Sequence, residues 1–131
     1  MASNSEPRIL SFKAGGAIAK GKAVKIGANR ETVVVCSANT DPAIGIAQGD
    51  ISADDAAAGV RIEVALQGGG AKALASGSVT AGKFLVPSAS GALEQTVAAG
   101  DRVCAMAMED AVNNDIFAVE VVHLVATAAD Q

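Results

Sequence analysis

Two stretches of this chain have the spacing of a phosphate-binding loop. Gly16-Ala-Ile-Ala-Lys-Gly21-Lys22 reads Gly-x4-Gly-Lys, and 61 positions later Gly77-Ser-Val-Thr-Ala-Gly82-Lys83 reads the same. Such a loop surrounds a phosphate with backbone N–H groups, adds the lysine as a charge, and binds Mg²⁺ through a hydroxyl on the next residue. That residue normally opens a helix, whose N-terminus supplies aligned N–H groups. Here the next residues are Ala23 and Phe84, which have no hydroxyl, and each opens a strand-like run. Read once, the motif suggests nucleotide chemistry. Read twice, at matching places in two halves, it suggests a corner that the fold uses two times. A lysine-tipped turn entering a strand is the expectation.

The other candidates for chemistry fail one by one. Met106-Ala107-Met108 is similar to the Met-Lys-Met on which biotin carriers are modified, but Ala107 has no amine to acylate. His123 is the single histidine and has no Cys near it in sequence, which makes a poor metal site. As a general base it would need a nucleophile that the spacing does not identify. The acidic clusters Asp50, Asp54, Asp55 and Glu109, Asp110, Asp115 offer oxygen ligands of the kind Ca²⁺ takes, without a calcium-loop spacing. Asp and Asn are ordinary turn residues. Cys36 and Cys104 lie far apart and outside any Cys-x-x-Cys, and read as reduced core residues rather than a disulfide. No catalytic, cofactor-binding or metal residue is expected, and the chain reads as a non-enzyme.

Composition narrows the partners. Half of the 131 residues are apolar, but there is no Trp or Tyr and only Phe12, Phe84 and Phe117 represent the aromatics. Small side chains bury little area each, at about 25 cal/mol per Å², so contacts between copies are one way to add burial. The net charge of −4, with scattered Lys and Arg, argues against nucleic acid or an anionic membrane as partner. No apolar run reaches the roughly 20 residues that a membrane-spanning helix needs. Residues 1–7 are polar and lack the regions of a signal peptide, so a cytoplasm is the expected place of synthesis.

The elements around the two corners are short and β-like. Strand character is predicted at residues 8–13, 23–26, 32–36, 43–47 and 60–66, and again at 71–75, 84–86, 102–108 and 116–124. Gly, Ser, Asn and Asp turns separate them. Val60, Ile62, Val64 and Leu66 alternate cleanly onto one face. Ser52-Ala-Asp-Asp55 has capping-box spacing and starts at most one or two helical turns. The order corner, strand, loop, strand, acidic turn, long strand appears in both halves. Val119-Glu120-Val121 echoes Ile62-Glu63-Val64, an offset of 57 that places the length differences in loops. The prediction is a compact, mostly β, antiparallel barrel or sandwich with two pseudo-repeated halves and little helix. Its parts are an N-terminal arm at 1–14, one domain at 15–126 with repeats at about 15–66 and 76–124, and a tail at 127–131.

The second half carries a family likeness. Ala81-Gly82-Lys83 before a short strand, a Ser-Gly turn, Val103-Cys-Ala-Met-Ala-Met-Glu109 and a closing Val119-Glu-Val-Val resemble the small capsid decoration (cement) proteins of tailed bacteriophages. The first half has the same look at Lys20-Gly-Lys22, Ile44-Gly45-Ile46-Ala47 and Ile62-Glu-Val64. The chain departs from the pattern at Cys104, where Gly is favoured, and at residues 112–115, where a Gly turn is usual. The resemblance implies a β-tulip-like fold and a structural role, as a homotrimer on the outer surface of the capsid bracing the major capsid protein. Pro7, Arg8, Ile9, Leu10 and Phe12 are the expected capsid contact, since an extended segment adds to a sheet edge or lies in a groove. A β-barrel adaptor or binding module of a phage tail or baseplate is the alternative.

Overall fold

The computed structural model describes residues 8–95 and 97–126. The first half forms β1 (Ile9–Ala14), β2 (Ala23–Ile26), β3 (Thr32–Val35), β4 (Gly45–Ala47), α1 (Ala53–Ala57) and β5 (Arg61–Leu66). The second forms β6 (Gly70–Leu74), β7 (Phe84–Pro87), β8 (Leu93–Glu94), β9 (Arg102–Ala107) and β10 (Ile116–Val125). The predicted mostly β fold is present. Its one described helix has the expected start: the Ser52 hydroxyl accepts from Asp55 N–H at 3.1 Å.

The two halves repeat one topology. Strands β1-β3-β2-β4-β5 close into a barrel, with β1 antiparallel to β5 and parallel to β3. Strands β6-β10-β9-β7-β8 have the same neighbours in the second half. Its end strands meet at one parallel bridge, Ala75↔Leu93, the counterpart of Ala14↔Val33 in the first barrel.

Interior side chains match position by position. Ala14, Ile18, Val24, Val33, Ala47, Ile51, Ile62 and Val64 fill the first barrel. At the corresponding places of the second stand Ala75, Val79, Leu85, Leu93, Ala107, Ala111, Phe117 and Val119, all buried together. Period-two alternation puts these residues inward and their neighbours outward. Duplication is the architecture.

Register corrects three details of the sequence reading. Ala47 pairs with Val64, and Ala107 with Val119, so Ile62-Glu63-Val64 corresponds to Phe117-Ala118-Val119, not to Val119-Glu120-Val121. The offset is 60 at Ile51 and Ala111 but 55 at Ile62 and Phe117, because α1 in the first half is replaced by a tight turn. In that turn Asn114 takes φ 72°, supplying the left-handed residue for which a glycine was expected. The residue matching Gly45 is Ala105, one place beyond Cys104. Gly45 is needed where it is, since a Cβ there would collide with the Ala65 carbonyl and the Val64 side chain.

Each repeat also begins one strand earlier than its corner. Residues 9–14, assigned to the arm, are β1 and pair with β5 from Ile9↔Ala65 to Lys13↔Arg61. Residues 1–7 and 127–131, read as an arm and a tail, lie outside the described residues.

Candidate functional site

The two Gly-Lys corners share their backbone conformation and their hydrogen bonds to β4 and β9. Gly21 has φ 89° and Gly82 φ 87°, a conformation that favours glycine. Gly21 N–H donates to Ala47 O, and Gly82 N–H to Ala107 O, both at 2.8 Å. Lys22 O accepts from Ala47 N–H, and Lys83 O from Ala107 N–H, both at 2.9 Å. Strands β2 and β7 follow directly, so no helix N-terminus faces either loop. The N–H groups of Gly21 and Gly82, which a phosphate would use, are already taken.

An aspartate from the acidic turn completes each corner. Asp50 Oδ1 accepts from Lys20 N–H at 2.7 Å, and Asp110 Oδ1 from Ala81 N–H at 2.8 Å. A carboxylate therefore stands beside the loop that would have to receive an anion, and Coulomb repulsion opposes phosphate there. The sequence reading saw these residues only as acidic clusters and missed this role. Their 60-residue spacing, nearly that of the corners, was the available signal.

Glu109, Asp115 and Asp41 also bind backbone. Glu109 accepts from Ala118 N–H at 2.7 Å and Asp115 from Val112 N–H at 3.1 Å. Asp41 accepts from Ser37 N–H at 2.7 Å and pairs with Lys25 at 3.1 Å. The Ser37 bond, with Lys25 adding, holds its carboxyl below the usual carboxylate range. Among the described residues no group of three or more His, Cys, Asp or Glu is placed to hold a metal ion.

The cysteines come close together in the core. Both are free and buried. Burial pushes the Cys36 thiol up to about 12, with the Asp41 carboxylate adding. Cys104 moves in the same direction through burial and the proximity of Cys36. Nucleophilic and redox chemistry runs through the thiolate, so neither is an active thiol at neutral pH. His123 is exposed and lines an open groove of about 320 Å³ with Pro42, Ile44, Arg102 and Leu124. Among the described residues no Ser, Thr, Cys or Lys lines this groove.

What stands out is apolar surface. Ile9 and Leu10, on β1, are 41% and 56% exposed, while Arg8 just before them is exposed beside Gly68. Phe12, on the same strand, is half-buried and packs inward against the first barrel's core. Of the expected contact residues described, Phe12 is therefore the one that packs toward the barrel interior. Pro7 lies outside the described residues. On the second repeat Met108 is 53% exposed and Phe84 and Met106 are half-buried.

No protein-family model matches the chain, and no curated protein matches it in sequence. Among solved structures it is similar to the head fiber gp8.5 N base of bacteriophage phi29, at TM-score 0.65. The match covers 91% of this chain and 98% of that one. The two share a fold. At 13% identity the likeness extends to backbone architecture over nearly the whole of both chains, so the phi29 base is a counterpart of both repeats and not of one barrel.

Proposed function

We propose that this chain is a structural protein of a tailed-phage virion, a decoration or cement protein on the outer surface of the head. It is made in the host cytoplasm, binds the expanded shell as a homotrimer, and stabilises it by bridging neighbouring copies of the major capsid protein. The observation that carries this reading is the fold shared with a phage head-fiber base across nearly the full length of both chains. The family likeness of the Gly-Lys corners and the strands after them supports it independently.

The chemistry of the surface agrees. The residues that looked reactive are used in turns and core, while Leu10 and Ile9 present apolar area at the start of β1. In this reading Arg8, Ile9 and Leu10, with Pro7 before them, contact the capsid, and Phe12 anchors the strand that carries them. Many weak contacts repeated over a shell hold firmly through multivalency.

Copy number tests the assignment. Quantitative mass spectrometry of purified virions is expected to find the chain in fixed proportion to the major capsid protein. A stoichiometry matching the few copies of a tail or baseplate component would replace the head reading with the adaptor one.

A further inference from the structure

We propose that the face by which the first repeat grips the second is reused between chains, so that the second repeat of one copy grips the first repeat of another. This gives a surface to the self-association in the reading above, but it rests on the internal junction alone.

Within the chain the junction is made by the first corner and the outward row beside it. Gly21 O accepts from Leu74 N–H at 2.9 Å, and Ala23 N–H donates to Gly91 O at 2.8 Å. The corner thus seats between β6 and the turn before β8. Ala23, Ile46 and Ala65 are adjacent across β2, β4 and β5, fully buried, and part of the core cluster that fills the second barrel. Gln48 completes the grip, donating to Lys72 O at 3.1 Å and accepting from Lys72 N–H at 3.2 Å.

The junction is not reciprocal. Around Gly82, the counterpart of Gly21, nothing lies within 4 Å of where a Cβ would stand. The row matching Ala23, Ile46 and Ala65 is Phe84, Met106 and Glu120, adjacent across β7, β9 and β10. That row is half-exposed, and Met108 stands 53% exposed in the place of Gln48. A two-fold junction would have covered both faces; this one is head-to-tail. Repeated between molecules, such a contact closes into a ring or runs into a filament.

The complementary face exists on the first repeat. Ile26, 42% exposed, holds the place of Pro87, whose carbonyl accepts from Asn39 at 2.6 Å across the junction. The counterparts of Leu74 N–H and Gly91 O are Lys13 N–H and Glu31 O, which bond each other at 2.8 Å. Seating a Gly82 corner there exchanges that one hydrogen bond for two. Phe84 in the row on the second repeat also packs against Val86, Val103 and Ala126 of its own chain. The occupant that fits what stays exposed there among the described residues, at Met106 and Met108, is a second copy of this chain.

Sedimentation velocity over a concentration series tests this with two surface variants, Met108→Lys on the gripping face and Ile26→Lys on the receiving face. The wild-type chain is expected to associate, and each variant alone to associate at least tenfold more weakly. Mixed in equal amounts, the two variants should form a one-to-one dimer, since each retains the face the other has lost. Circular dichroism of each variant confirms the fold. A wild-type chain that stays monomeric, variants that associate like wild type, or a mixture that gives no dimer would each overturn the proposal. Unimpaired association by both variants would remove this surface while leaving head binding untouched, and failure to bind heads would leave this surface standing.

Discussion

Replacing Phe117 by Ala is expected to lower the unfolding free energy by about 3–5 kcal/mol, the range for emptying a buried aromatic site. Phe117 is 1% exposed and the largest side chain in the cluster that joins the two repeats. Its neighbours include Ala73, Ala75, Ala105 and Ala107, whose short side chains cannot reach into the vacated space. The place it fills in the second barrel is held in the first by the smaller Ile62. Against a typical total of about 5–15 kcal/mol, the loss would leave a marginal fold. Urea unfolding followed by circular dichroism measures it. A loss under about 1 kcal/mol would mean that the site collapses freely and that Phe117 is not the centre of a tightly packed core.

The second large effect separates the two corners. Gly21→Ala and Gly82→Ala both place a Cβ in the left-handed region, which costs roughly 1–2 kcal/mol in either case. At Gly82 the new methyl meets nothing within 4 Å, so the loss should stop there. At Gly21 it would stand 2.5 Å from Leu74 N and 3.0 Å from the Ala73 carbonyl carbon. Both are backbone, so β6 must shift, adding about 1–3 kcal/mol and disturbing the Leu74 bond. The expected order is therefore Gly21→Ala well below Gly82→Ala in urea midpoint. Equal losses would contradict the seating of the first corner against the second repeat.

Much of the fold was legible in the sequence because both of its signals are local. Alternation marks β5 at Ile62, Val64 and Leu66, although Val60 falls before the strand and is exposed. The glycines of the corners fix turns whose φ is positive in both copies. Strand β8 was missed: Leu93-Glu94 is two residues long, with no β-branched side chain to announce it. Its position 60 residues after β3 was the one available clue. The start of each repeat was missed for a related reason. Strands β1 and β6 share a partner arrangement but little sequence, Ile-Leu-Ser-Phe-Lys-Ala against Gly-Ala-Lys-Ala-Leu. Pairing of strands distant in sequence depends on the whole barrel and leaves no local mark.

The candidate site divides in the same way. The missing hydroxyl after each lysine counted against phosphate chemistry in the sequence, and the structure adds that Asp50 and Asp110 each accept from one N–H of the loop. Ile9 and Leu10 were legible as apolar residues near the N-terminus, while their exposure was not. The inward turn of Phe12 required the register of β1 against β5. The asymmetry of the two corners could not be read at all, since it arises from packing one repeat on the other.

The most direct test of the head-decoration reading is co-sedimentation of the purified chain with expanded heads that lack it. Saturable binding is expected, reaching a fixed ratio to the major capsid protein. A chain that stays in the supernatant at every concentration would contradict that reading.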